Sequence, residues 1–123
     1  MDQFPSHWVE FLGKNNLAGL SFCIPEENDQ SGIGADLKLF SLEDAVQEAN
    51  DFYPGIAAYP SGYIPVAICL VGSGDPYFIR STDNVPGPLY RIYHDSCTES
   101  GLDKNAVEVV LQSYPDLLSY IEA

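Results

Sequence analysis

The sequence predicts an α+β fold in which a central antiparallel meander sheet is flanked by helices, in one domain over residues 1–123. Three observations carry that expectation. Apolar residues recur at helical spacing over 4–12 and again over 42–53. At about residue 63 the pattern changes to continuous or alternating apolar runs. Short Gly- and Pro-containing segments separate those runs, as turns separate neighbouring strands.

Phe4, Trp8, Phe11 and Leu12 form the first stripe, with Pro5 tolerated in a first helical turn and Gly13 as the expected stop. Asn15-Asn16 then reads as a turn. Leu17 to Ile24 is apolar but too short to assign. Pro25 to Gly34 combines acids with turn formers and reads as a surface loop. Leu37 and Leu39 alternate with polar neighbours as a short strand ending near Phe40. Ser41 is a suitable N-cap, with Asp44 placed for an approximate capping box. Leu42, Ala45, Val46, Ala49 and Tyr53 then share one helical face, closed by Pro54-Gly55.

Ile64 to Val71 is β-branched and apolar, suited to a central strand buried on both faces. Gly72-Ser73-Gly74-Asp75-Pro76 turns the chain into a second strand, Tyr77 to Arg80. After a loop over 83–88, Leu89 to Tyr93 alternates as a third. Asp103 is read as the cap of a closing helix that carries Ala106, Val107, Val110, Leu111 and Tyr114, with Pro115 restarting it through Leu117, Leu118 and Ile121.

The 123 residues carry 18 acidic and 5 basic side chains, a formal net charge of −13. Such a surface repels nucleic acid and anionic membrane and attracts a basic protein. A hydrophobic content of 46% argues against intrinsic disorder. Met1-Asp2-Gln3 lacks the basic and apolar regions of a secretory signal, and the apolar run 64–71 is far short of the roughly 20 residues of a membrane span. Cys23, Cys69 and Cys97 are odd in number and form no C-x-x-C pair, so reduced thiols in the cytoplasm are expected, without a zinc site or disulfide framework.

Candidate chemistry is sparse. Gly72-Ser73-Gly74 lacks the third glycine of a dinucleotide fingerprint and the Gly-Lys-Ser/Thr end of a P-loop, and Asp75 follows it. Gly72 and Gly74 are accordingly assigned to a structural turn. Ser73 would need His7 or His94 as its base, and Asp95 beside His94 points the opposite way on an extended chain. His94, Asp95, Cys97 and Glu99 match no zinc or calcium spacing. Neither a catalytic set, a metal nor a cofactor is expected. Of the aromatics Tyr77, Phe78, Tyr90 and Tyr93, two can face the core and two can face outward. Outward tyrosines beside acids suit protein recognition, and cross-strand packing is the alternative.

The stretch Tyr63-Ile64-Pro65-Val66-Ala67, the turn 72–76 leading into Tyr77-Phe78-Ile79, and Pro88-Leu89-Tyr90-Arg91-Ile92-Tyr93-His94-Asp95 together resemble the SUKH superfamily. Ser113-Tyr114-Pro115-Asp116-Leu117-Leu118 resembles that family's closing segment. The family includes bacterial toxin-immunity proteins and the fungal Smi/Knr cell-wall regulators. The resemblance implies a SUKH-like α+β domain and a cytoplasmic, non-enzymatic binding protein, a monomer or weak homodimer. Its expected partner is a cognate toxin with a basic domain, often a nuclease. Expected contacts are Glu26, Glu27, Asp29, Asp75, Asp83 and Asp95, with Tyr77, Tyr90 and His94 as an aromatic centre. A regulatory or scaffold module without a toxin partner is one alternative. A small-ligand-binding protein or enzyme using the Tyr77/Tyr90/His94 region is another.

Overall fold

The computed structural model describes residues 4–30, 32, 34–51, 62–70, 76–80, 86–93, 97–98, 101–102 and 107–121, with backbone alone described at 49–51, 97–98 and 101–102. Helix α1 spans Ser6–Lys14, preceded by Pro5, and buries Trp8 and Leu12. Gly13 lies inside it rather than ending it. The chain leaves the helix through Asn16, whose φ of 53° is a left-handed conformation that asparagine tolerates. The apolar stretch after it resolves into a turn and strand β1, Ser21–Ile24, with Leu17, Phe22 and Ile24 buried.

A single 3-10 turn, Glu26–Asn28, leads through the 25–34 segment to β2, Ala35–Leu39. Helix α2, Leu42–Asp51, follows with Asp44 N–H donating to the Ser41 hydroxyl at 3.2 Å, the expected cap. It packs against β3, Tyr63–Cys69. Strands β4, Tyr77–Arg80, and β5, Leu89–Ile92, continue the meander. Two short strands, β6 (Cys97–Thr98) and β7 (Gly101–Leu102), pair as a separate hairpin. The sheet ends with β8, Val107–Leu111, and a 3-10 helix, Tyr114–Tyr120, completes the chain's described part.

The architecture is α+β, and the main sheet is wider than the sequence suggests. Six strands run in the order β1-β2-β3-β4-β5-β8, every neighbour pair antiparallel. The closing helix expected from Asp103 onward is corrected. Residues 107–111 are a strand paired with β5, and 114–120 form a 3-10 helix with Pro115 in its first turn. Val107, Val109 and Val110 favour a pleated, half-buried position beside an available strand over a helix. Asp103 and Ala106 lie outside the described residues, as do Tyr53, Pro54, Gly55 and Val71 to Asp75.

Two bulges shape the sheet. Register shifts between Pro65 and Ala67 against β4, so Val66 is an extra residue at the one place where a central strand carries a proline. Proline has no N–H to give the ladder, and a bulge is where a sheet interior accepts it. Residues 64–67 are all buried, but Ile68 is exposed, so β3 is not covered on both faces along its whole length.

Both ends of the sheet are tied together. Phe22 of β1 forms an isolated bridge with Ile121, and Asn28 Nδ2 donates to the Tyr120 hydroxyl at 2.8 Å. At the far end, Gln30 N–H donates to the Val110 carbonyl at 2.8 Å. The 25–34 segment and the C-terminal 3-10 helix therefore span from the first strand to the last.

The main core lies inside this arrangement. Trp8, Phe22, Leu37, Tyr77, Ile79, Leu89, Tyr114 and Leu117 belong to it, each nearly inaccessible. Trp8 meets Tyr114 edge-on at 4.9 Å between ring centroids, and Phe11 meets the same ring at 5.0 Å. The His7 ring stacks on Tyr114 and its Nδ1 hydrogen-bonds the tyrosine hydroxyl. A smaller cluster on the opposite sheet face holds Phe78 and Ile92 with Tyr63, Tyr90 and Val107. Among the described residues, no helix is long and apolar enough to cross a membrane.

Candidate functional site

Pairing of β4 with β5 sets Tyr77 opposite Arg91 and Phe78 opposite Tyr90. Successive side chains on a strand point to opposite faces, so Tyr77 and Arg91 share the inner face while Phe78 and Tyr90 share the other. Arg91 is only 3% exposed. Its Nη2 donates to the Gly34 carbonyl at 2.8 Å and the Tyr77 hydroxyl at 3.1 Å, and reaches Asp29 Oδ2 at 3.5 Å. The guanidinium carbon also lies 5.2 Å from the Tyr77 ring centroid, within cation–π range.

Gly34 is favoured at its place by its backbone conformation. Its φ is +80°, a left-handed region that favours glycine, and its Cα lies beside the Ile24 carbonyl of β1. Its backbone thus passes close enough to β1 to turn its own carbonyl toward Arg91. Through Asp29 and Gly34 the guanidinium holds both halves of the 25–34 segment onto the sheet. Among the described residues, no buried side-chain nitrogen or oxygen lacks a hydrogen-bond partner.

This internal network corrects two expected surface contacts. Asp29, read as part of a solvated loop, has a side chain with no exposure and faces Arg91. Tyr77, read as part of an aromatic centre, is 1% exposed and bonded to Arg91. Tyr77 and Tyr90 also occupy opposite faces of the sheet, so they form no common centre. Tyr90 is half-buried and meets Tyr63 edge-on at 5.3 Å, with Arg80 placed over the Tyr63 ring at 5.7 Å. Glu26 and Glu27 are exposed on the 3-10 turn, one and two residues beyond Pro25. Gly72, Ser73, Gly74, Asp75, Asp83, His94 and Asp95 lie outside the described residues.

Electrostatics in the network favour an ionised arginine and neutral phenols. Burial alone would lower the Arg91 pKa, but the Tyr77 hydroxyl and the Asp29 charge outweigh it and raise it. Desolvation pushes the Tyr77 phenol up to about 12, against the opposing pull of Arg91. Burial raises Tyr114 further still. On β5's following residue, Tyr93 is raised by desolvation and by donating to Glu108 at 3.0 Å. Folded-state values above the unfolded value of about 10 mean that the fold binds these protons more tightly. The resulting stability is complete below pH 10 and is lost as pH rises toward 12. A stability-versus-pH series by chemical denaturation will show that alkaline decline, and Tyr77→Phe will reduce it. A flat profile from pH 9 to 12 would contradict the assignment.

Cys23 and Cys69 are not in disulfides, and among the described residues no group of three His, Cys, Asp or Glu side chains is placed to hold a metal. His7, the one histidine described, is engaged with Tyr114 in the core's aromatic cluster. Sequence reasoning missed Arg91 because an arginine in an alternating strand reads as an outward residue. The available signal is its setting, Leu-Tyr-Arg-Ile-Tyr, in a chain with only 5 basic residues.

No protein-family model matches the chain, and neither a curated protein nor a solved structure matches it.

Proposed function

We propose that this chain is a non-enzymatic binding protein that neutralises a basic protein toxin by direct contact, as an immunity protein does. The observation that carries the reading is the charge of −13 and its disposition. Arg91, one of the 5 basic residues, is consumed inside the fold by Asp29. Outside it, Glu10, Glu26, Glu27, Glu43, Asp44 and Asp116 are exposed among the described residues, against Lys14, Lys38 and Arg80. A basic cleft shaped for phosphate, as a nuclease has, would be attracted to that surface over a distance of about 10 Å at moderate salt. The SUKH-like motifs described above support the same class of protein.

Glu26 and Glu27 are the first contacts to test, together with Asp75, Asp83 and Asp95. Half-buried Tyr90 is a further contact on the outer sheet face, whereas Asp29 and Tyr77 are buried and face the interior. Co-expression with a candidate basic toxin from the flanking genes is the experiment, and flanking genes that encode none would favour a scaffold or regulatory module. Rescue of growth and a co-purifying complex are expected, and Glu26→Gln/Glu27→Gln will slow association several-fold without changing the thermal midpoint. Rescue absent together with no complex would overturn the reading and put a scaffold or regulatory module in its place.

A further inference from the structure

We draw no further inference here: the strongest candidate, the apolar groove between the C-terminal half of α1 and the start of α2 lined by Val9, Leu12, Ala18, Leu42 and Glu43, carries nothing because nothing in the structure shows what covers it.

Discussion

Arg91→Met is expected to lower the unfolding free energy by about 3–5 kcal/mol, the typical cost of removing one partner of a buried ion pair. The substitution leaves the Asp29 carboxylate, wholly shielded from solvent, without the guanidinium opposite it. It also takes the donor from the Gly34 carbonyl and the Tyr77 hydroxyl. Loss of the buried charge pair and loss of the guanidinium's hydrogen bonds both contribute, and a compensating variant separates the causes. Arg91→Met/Asp29→Leu removes both charges and should recover most of the stability. Arg91→Lys should recover only part of it, because one ammonium lacks the planar fork that serves several acceptors. Urea denaturation at pH 7 measures all three. A single-variant loss below about 1 kcal/mol, or a double variant no better than the single one, would contradict the account.

Trp8→Ala should cost a similar amount, about 3–5 kcal/mol, by a different mechanism. Trp8 is 1% exposed and is the largest side chain in the main core. Its removal opens a cavity and deletes the edge contact with Tyr114 and the tilted contact with Phe11. Those rings join α1 to the start of the C-terminal 3-10 helix, which in turn bridges to β1 through Ile121. The thermal midpoint should fall by about 10–20 °C. A change of only a few degrees would mean that α1 contributes little to the core.

These two sites show what the sequence could and could not reveal. Trp8 was legible, since Phe4, Trp8, Phe11 and Leu12 repeat at helical spacing and a period is a local property. The meander over β3, β4 and β5 was legible for the same reason, with turn residues between apolar runs. Strand β8 was not. Leu89 pairs with Leu111 and Tyr90 with Val109, which leaves Val110 as an extra residue in a bulge. Val110 and Leu111 are therefore buried side by side, which breaks the two-residue alternation of a strand. Val107, Val110, Leu111 and Tyr114 then imitate a helical stripe. Only the presence of the β5 edge decides between the two.

Charge was legible as a total but not as a distribution. Asp29 looks no different from Glu26 or Glu27 in a loop rich in acids and turn formers. Its burial depends on Arg91, which is 62 residues away in sequence. A pairing of that separation leaves no periodic trace. The correction still sharpens the functional reading, because it removes Asp29 and Tyr77 from the contact surface and leaves the exposed Glu26–Asn28 turn fixed from below.

The central claim is that acidic surface residues steer this protein to a basic partner. The direct measurement is the association rate constant with the basic toxin domain that the proposed function calls for, followed by stopped flow from about 20 to 500 mM salt. Steering predicts a rate constant well above the unsteered range of about 10⁵–10⁶ M⁻¹s⁻¹ at the lowest salt, falling at least tenfold across the series. Dissociation should change far less. An association rate that stays constant across the salt series would contradict the claim.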